Sequence, residues 1–357
     1  MREEWINHLV KNLLCILTLN LLPVAWGSAD GELYLVELEV DSQSSVERDL
    51  GAKNALIDLL TKVTGLRNIP RSQKIIEALK RPSAYYSGFS YKSNPNNDNG
   101  GFLISYDFDK YLVLDLIVEA KLPYWWTARP GIIIWLALDD SSQTILSSSD
   151  SHSFVRHLRE RAMERGIKAE LPIMDVQDQK LISYKGLMSG IAHQIDEAST
   201  RYAADIYLVG KVREMEFSMD EPFFEGRWEF WFENEFLSAD FKGITAPEAA
   251  ELGIDFVVDA VVANDAVFAL EEQEYQWAVA GIDSVDEYIR LKNIFEDLEF
   301  IDSFFLKKLS LGQVTFNIST RASEKKIVEL LSKRKVLVEN PFYRGPGLGF
   351  QIGEGFN

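Results

Sequence analysis

The sequence predicts a mixed α/β protein built from three small domains in series. Residues 131–138 and 204–212 are apolar at nearly every position, which indicates parallel strands buried on both faces. Helical patterns lie between the two runs, as expected where helices connect parallel strands. With 357 residues, the chain is also longer than one ordinary core requires. We therefore expect a central three-layer α/β domain, with a parallel or mixed sheet, over residues 127–270.

The first domain, residues 30–126, is predicted to be a small α+β unit. A strand at 33–40 precedes an amphipathic helix that begins after a serine cap and ends at Gly65. Two further strands, at 85–92 and 102–108, flank a loop rich in asparagine and glycine. Shorter helices complete the predicted domain, and the loop is typical of a mobile hairpin connection.

The middle domain is predicted to alternate between helices and strands. Helices at 151–166 and 185–202 lead into the strand at 204–212. Residues 227–237 then alternate between apolar and charged side chains, which predicts one antiparallel strand added to the sheet. A long helix at 247–268 has the apolar residues needed to cover that sheet.

The last domain, residues 271–340, is predicted to be ferredoxin-like. Its patterns follow the order βαββαβ, with Ser284 and Ser323 as helix caps and Gly312 in the hairpin turn. Residues 341–357 are rich in glycine and lack periodicity. We therefore expect a flexible tail after the last domain.

Residues 1–29 are predicted to be a signal peptide that directs export to the periplasm. Lys11 precedes an apolar run, and small residues follow at 27–29. Asn20 and Pro23 interrupt the run, which is shorter than the about 20 residues that a bilayer span needs. Cleavage is therefore favoured, and no membrane span is expected afterwards. The alternative is an uncleaved signal that anchors the protein in the inner membrane.

Composition excludes several classes of site. The formal net charge is −18, and such an acidic chain repels nucleic-acid phosphates and anionic lipid headgroups. We therefore expect no nucleic-acid partner. The one cysteine, Cys15, lies within the predicted signal peptide. A mature chain would then have no disulfide, no thiolate metal ligand and no cysteine nucleophile.

Three aspartates are candidate metal ligands. Asp139 and Asp140 end the first strand of the middle domain, and Asp175 ends the next apolar run. Ligands bind beyond the carboxyl ends of parallel strands, and carboxylate oxygens are suited to Mg²⁺ or Ca²⁺. Because no wider motif accompanies these residues, capping of the following turns and helices is the favoured interpretation. No metal or other cofactor is therefore expected.

Two features are candidates for binding a partner. Arg156 and Arg159 share one predicted helix with Arg161 and Arg165, and the arginines are interpreted as a solvated face available to an acidic partner. Trp231 is the aromatic exception on the polar side of its predicted strand. An outward-facing tryptophan among glutamates predicts a binding residue.

The sequence contains no recognisable catalytic motif. His152 and His157 do not have the spacing of two metal ligands beside a base on one helical face. A nucleophile elbow, a glycine-rich phosphate loop and a dinucleotide fingerprint are all missing from the sequence. We therefore predict no catalytic residue, and a binding protein is favoured over an enzyme without the question being decided.

Short motifs along the chain also resemble those of a known family. They are Leu122-Pro-Tyr-Trp125, Arg129-Pro130, Leu171-Pro-Ile-Met-Asp175, Arg201-Tyr-Ala-Ala-Asp205 and Val279-Ala-Gly-Ile282. In this combination the chain resembles domain-of-unknown-function family 2066, a group of uncharacterised exported proteobacterial proteins. The resemblance implies a location in the cell envelope and implies no activity.

These features together predict an exported accessory or assembly protein of the cell envelope that binds envelope proteins. One alternative is a divalent-metal-dependent hydrolase or ligand-binding protein that uses the three aspartates. A second alternative is a glycan or peptidoglycan binder that uses exposed aromatic side chains. The identity of the partner and the oligomeric state do not follow from the sequence.

Overall fold

The structure is a computed structural model, and its described residues form a mixed α/β protein with several sheets, as predicted. The ranges described are 33–94, 101–125, 129–140, 142–190, 192–215, 222–232, 235–268, 272–298, 301–333 and 335–356. The predicted signal peptide and the tip of the first hairpin lie outside these ranges. Leu33–Asn357 form one compact unit.

The N-terminal part contains a three-stranded antiparallel sheet with the strand order β1-β3-β2. Its elements are β1 (Leu35–Val40), α1 (Ser45–Thr64), α2 (Gln73–Lys80), β2 (Tyr86–Ser93), β3 (Phe102–Phe108) and α3 (Lys110–Glu119). The Ser44 hydroxyl accepts a hydrogen bond from the Glu47 backbone N–H and caps α1. Gly65 ends the helix with a φ of 69°. Both predicted ends of this helix are confirmed.

The central sheet has the strand order β10-β9-β8-β5-β6, and β7 also pairs with β5. The strands are β5 (Ile132–Asp139), β6 (Thr144–Leu146), β7 (Ala169–Glu170), β8 (Ile206–Met215), β9 (Phe223–Phe232) and β10 (Glu235–Ile244). The two continuous apolar runs form β5 and β8, which pair in parallel as predicted. β9 and β10 extend the sheet in antiparallel fashion.

The helices of this middle part depart from the prediction at one place. They are α4 (Ser153–Glu164), α5 (Val176–Leu181), α6 (Tyr184–Ser189), α7 (Ala192–Ser199) and α8 (Ala246–Asp265). The single helix predicted over 185–202 is wrong, because α6 stops before Gly190, whose φ is 75°. A glycine adopts this left-handed conformation without steric cost and so ends the helix. The α5 helix was not predicted.

The predicted single strand at 227–237 is also wrong, because it is divided between β9 and β10. The two strands pair so that Phe236 lies opposite Trp231 and Leu237 lies opposite Phe230. Phe236 lies at an even spacing from Trp228, Phe230 and Phe232, so the pattern of apolar residues alone does not reveal the division. Phe236 consequently shares a face with Trp231, and not with Trp228 as the single strand required.

The two faces of the central sheet differ in their covering. Leu136, Leu208 and Trp228 belong to the main core, which includes side chains of α4 and α8. On the other face, Trp135 and Val209 pack with side chains of α6 and α7 in a smaller core. That smaller core includes residues of β5 and β8 and none of β9 or β10. The second face of β9 and β10 instead has mainly charged side chains.

The C-terminal sheet has the strand order β13-β14-β12-β16-β15. Its elements are β12 (Gln273–Ala280), α9 (Val285–Asp297), β13 (Ile301–Ser310), β14 (Gln313–Thr320), α10 (Glu324–Lys333), β15 (Leu337–Glu339) and β16 (Leu348–Ile352). The succession from β12 to β15 follows the predicted order βαββαβ. β16 lies between β12 and β15, parallel to β12 and antiparallel to β15.

The expectation of a flexible tail at 341–357 therefore differs from the structure, because β16 is an internal strand of the sheet. The glycines of this segment allow close backbone contact. Gly347 has a φ of 79° and lies against the Gln276 carbonyl, and Gly349 lies against the Tyr343 ring. A Cβ atom at either position would collide with these neighbours. The glycine-rich composition here reflects close packing.

A two-stranded sheet and a few side-chain and backbone contacts connect the three larger sheets within this compact unit. β4 (Pro123–Tyr124) pairs with β11 (Val267–Phe268). The Trp125 backbone N–H donates to the Val63 carbonyl at 2.7 Å, and Arg321 forms an ion pair with Asp115 at 2.6 Å. In the described part of the chain, no helix combines the length and the apolar character needed to cross a membrane.

Candidate functional site

The second face of β8, β9 and β10 presents a ladder of charged side chains, which we call the open face. It comprises Lys211, Arg213, Glu225, Arg227, Glu229, Asp240 and Lys242. Alternation along each strand places these residues on one side of the sheet. The antiparallel register brings opposite charges together on neighbouring strands.

Each charged group on the open face has a partner of opposite sign. Lys211 lies 2.7 Å from Glu229, and both side chains are largely buried. Arg213 lies 2.9 Å from Asp139 and 3.7 Å from Glu225. Glu225 also accepts from Lys242 at 2.9 Å, and this hydrogen bond lowers the pKa of Glu225. The face is therefore a chain of cross-strand ion pairs with little net charge.

At the edge of the ladder, Arg227 and Asp240 form a two-point ion pair. The Arg227 Nε donates to Asp240 Oδ1 at 2.5 Å, and Nη2 donates to Oδ2 at 3.0 Å. These hydrogen bonds lower the pKa of Asp240 and raise that of Arg227. The two side chains are 47% and 69% exposed, so the pair is accessible to a partner.

A hollow of about 750 Å³ lies over this ladder. Its lining includes charged side chains of all three strands together with Met188 from α6. The hollow is located near the carboxyl ends of the parallel strands β5 and β8, where α/β sheets commonly bind ligands. A charged, open hollow of this kind is suited to a polar partner.

Trp231 lies on the same face, at the other end of β9. Its ring is half-buried and contacts Tyr207 and Phe236, with ring centroids 5.6 Å and 4.8 Å away. Phe236 is 50% exposed and extends this aromatic cluster toward solvent. The sequence indicated Trp231 as outward-facing, and the structure adds Tyr207 and Phe236 beside it. Those two neighbours follow from strand register, which the pattern of one strand does not show.

The three aspartates proposed as metal ligands are engaged in separate interactions. Asp139 accepts hydrogen bonds from Arg213 at 2.9 Å and from Gln143 at 3.3 Å. Asp140 accepts from the Ser142 hydroxyl at 2.6 Å, in a local turn. Both sets of hydrogen bonds hold the aspartate pKa values below their usual range. Within the described ranges, no three or more acidic, histidine or cysteine side chains form a group suited to a metal ion.

Asp175 belongs to a different cluster. It caps α5 by accepting from two backbone N–H groups, and it pairs with Arg201 at 2.8 Å. Arg201 also pairs with the buried Asp178 at 2.9 Å, and Asp178 accepts from the Tyr202 hydroxyl. Burial and that hydrogen bond raise the pKa of Tyr202 to about 12. The local geometry of Asp175 is therefore that of a helix cap.

The arginines of α4 separate into two groups. Arg156 and Arg159 are exposed, as predicted; Arg156 contacts His157 at 3.2 Å, and Arg159 donates to the Ser148 carbonyl. The interpretation of Arg161 and Arg165 as a solvated face is wrong. Arg161 is largely buried, and Arg165 is completely buried. Carboxylates of α8 lie opposite both residues, and the helix sequence alone does not show them.

Arg165 is the centre of a buried ion-pair network. It binds Asp255 and lies 2.8 Å from Asp259, and Arg161 lies 2.9 Å from Asp255. The Arg165 guanidinium also donates to the Gly65 carbonyl at 2.9 Å. This hydrogen bond connects α8 and α4 to the end of α1. Burial opposes the ionisation of Asp255, but the two arginines hold its pKa below the usual range. This network is a structural junction.

The three histidines of the described residues have no common site. His152 caps α4 by accepting from the Phe154 backbone N–H at 3.2 Å. His157 lies 3.1 Å from Glu160, and His193 is exposed on α7. These contacts are local to single helices.

Comparison with known proteins gives little information about activity. The sequence profile of a domain of unknown function, DUF8605, matches residues 29–126. The expected membership of domain-of-unknown-function family 2066 is therefore wrong: the N-terminal part matches a different domain of unknown function. A comparison with curated proteins finds no match.

Among solved structures, the chain is similar to a protein of the competence-damaged protein (CinA) superfamily from Escherichia coli. The likeness has 10% sequence identity and covers 42% of this chain and 85% of that one, with a TM-score of 0.22. At that TM-score it supports no conclusion about fold or function. The open face therefore has to be interpreted from its own geometry.

Proposed function

We propose that this protein is an exported, non-enzymatic accessory protein of the cell envelope that binds another protein through the open face. In this proposal the three sheets belong to three domains in series, and the signal peptide at 1–29 is removed. The observation that carries the proposal is the uneven covering of the central sheet. Helices cover one face, whereas on the other face the described helices pack on β5 and β8, and side chains of β9 and β10 such as Arg227, Asp240 and Phe236 remain exposed.

The chemistry of the open face favours a protein partner. Cross-strand pairs such as Arg227–Asp240 present both signs of charge, so they suit a surface with complementary charges of both signs. Trp231 and Phe236 add the aromatic contact area that is common at the centre of protein interfaces. A glycan usually stacks on a free aromatic face, whereas Trp231 already contacts two other rings.

The test is to identify cross-linked partners of the tagged protein in living cells by mass spectrometry. We expect one specific envelope protein to be recovered with the wild type and to be lost with Phe236→Ser. Phe236 is half-exposed, so this change should leave the fold intact. Phe342→Ser is the matched control, because Phe342 is 84% exposed and belongs to the C-terminal segment, not to the strands of the open face.

The same experiment separates this proposal from its alternatives. Recovery of no envelope protein, or equal recovery with wild type and Phe236→Ser, would contradict a partner site on the open face. Sedimentation with purified cell-wall sacculi that depends on Phe236 would support a glycan binder instead. The mass of the protein recovered from the periplasm checks whether residues 1–29 have been removed.

A further inference from the structure

Five apolar side chains are exposed together at one end of the C-terminal sheet. Val285 and Ile289 lie one turn apart on α9, and Leu306, Leu309 and Leu311 lie on β13 and the turn after it. Leu311 is fully exposed, and Leu309 is 67% exposed. We call these five residues the apolar patch. Clustered exposed apolar groups of this kind mark an interaction site on a soluble protein.

The patch combines a projecting residue with a hollow. The hollow has a volume of about 610 Å³, and its lining includes the buried Ile282 together with Tyr288. Tyr288 stacks on the buried Phe316 at 6.1 Å, which fixes that wall. Leu311 lies at the rim, in the hairpin turn. An apolar side chain that projects beside an apolar hollow allows the surface to fit a second copy of itself.

Charged residues flank the patch on its two sides. Asp283 and Asp286 lie at the start of α9, and Lys307 and Lys308 lie on β13, where Lys308 pairs with Thr315 and therefore lies on the opposite face of the sheet from Leu309. None of these four side chains forms an ion pair with another residue that the structure describes, in contrast to the paired charges of the open face. The patch therefore has an acidic side on α9 and a basic side on the hairpin.

We propose that the apolar patch is the contact between two copies of this chain related by a two-fold axis. A two-fold axis places the hairpin side of each copy against the α9 side of the other, so every contact occurs twice. Leu311 of each copy then enters the hollow of the other. Lys307 of one copy approaches Asp283 and Asp286 of the other, which gives charge complementarity on both sides of the contact.

Two other occupants fit the patch less well. Direct strand pairing between copies along β13 is disfavoured. The register of β13 shifts at two places, and the strand has two adjacent lysines; register shifts and lysines each protect an edge strand from pairing. An anionic membrane surface is disfavoured by the net charge of −18 and by the acidic side of the patch. A stable dimer buries about 800 Å² per partner, so the charged sides must join the apolar patch in the contact.

Sedimentation velocity of the purified protein tests this inference. We expect a dimer at about 100 µM that dissociates toward about 1 µM, as for a contact of modest size. Leu311→Ser should weaken the dimer about tenfold or more, because Leu311 fills the hollow of the other copy. Leu311 is fully exposed, so its replacement should not change the melting temperature. Phe342→Ser, which removes an exposed ring outside the patch, should dimerise like the wild type.

A charge exchange provides the second arm. Asp283→Lys together with Asp286→Lys should weaken the dimer, and adding Lys307→Glu should restore part of the association. Restoration is expected only if the hairpin side of one copy meets the α9 side of the other. A monomer at every concentration, or unchanged association of Leu311→Ser, would overturn the inference.

Flotation with vesicles of phosphatidylethanolamine and phosphatidylglycerol distinguishes a membrane contact. Binding to these vesicles that is lost with Leu311→Ser would assign the patch to a membrane surface and overturn the dimer. The inference does not depend on the proposed function of the open face, because neither Phe236 nor Trp231 takes part in it.

Discussion

The buried ion pairs behind α4 and the exposed ion pairs of the open face use the same residue types in opposite surroundings. Arg165 is completely buried and binds Asp255, whereas Arg227 and Asp240 are largely exposed. Breaking a buried pair leaves a charge without water, so such a pair fixes the packing of helices. The charged groups of an exposed pair can also form hydrogen bonds with water, and a binding protein can take the place of that water. The comparison indicates that burial, more than residue type, separates structural charges from binding charges.

The largest expected effect comes from breaking the buried network. Asp255→Ala removes the shared partner of Arg161 and Arg165 and leaves both guanidinium groups without a carboxylate at that position. We expect a loss of about 3–5 kcal/mol in the free energy of unfolding. Urea unfolding followed by circular dichroism measures this loss. A change as small as that of Asp240→Ala would show that the buried and exposed pairs are equivalent and would contradict the comparison.

A smaller loss in the free energy of unfolding is expected from overpacking the core between the central sheet and α8. The Trp228 ring is fully buried, and a Cβ atom at Gly253 would approach it to 2.5 Å. Gly253→Ala should therefore cost about 1–3 kcal/mol through overpacking. Gly88→Ala is the matched control, because a Cβ atom there meets no atom within 4 Å. If the two variants unfold at the same urea concentration, the tight fit of Trp228 is not a determinant of stability.

The buried network also predicts a pH dependence. Burial opposes the ionisation of Asp255, yet Arg161 and Arg165 hold its folded-state pKa below the unfolded value of about 3.9. Below that value the unfolded chain binds the extra proton first, so acid favours unfolding. The contribution of Asp255 is therefore fully present above about pH 4 and is lost as the pH falls through the folded-state pKa.

Urea unfolding of wild type and Asp255→Asn between about pH 6 and about pH 3 measures this contribution. The difference in unfolding free energy between the two proteins should be constant at the upper end and should shrink at the lower end. A difference that grows as the pH falls would show that the sign of the pKa shift is opposite to the one described here.

The sequence predicted most of the local structure because local patterns determine it. Ser44 and Gly65 mark the ends of α1 by their own capping chemistry, and the apolar run of β5 predicts a strand buried on both faces. The sequence pattern failed where contacts between residues far apart in the sequence determine the local structure. The Gly347 backbone lies against the Gln276 carbonyl, and the strand that follows pairs with β12, although composition alone had suggested that this segment is flexible.

The candidate site was predicted only in part, for a related reason. Trp231 was identified from one strand, but its neighbours Tyr207 and Phe236 depend on strand register. Likewise, Arg165 has the same charge as the exposed Arg156, and only the carboxylate of Asp255 opposite it explains its burial. Pairing between distant segments is the information that a single sequence does not contain.

The smallest expected effect on stability comes from exchanging the charges of one exposed pair. The double variant Arg227→Asp with Asp240→Arg keeps the ion pair and the net charge and reverses the local pattern on the open face. Because both side chains are solvent-accessible, we expect the melting temperature to stay close to that of the wild type. Partner recovery in the cross-linking experiment should nevertheless fall sharply, because the reversed pattern places like charges against the partner. Full recovery with the exchanged pair would mean that the partner does not recognise these charges, and the open face would then act through its aromatic end alone.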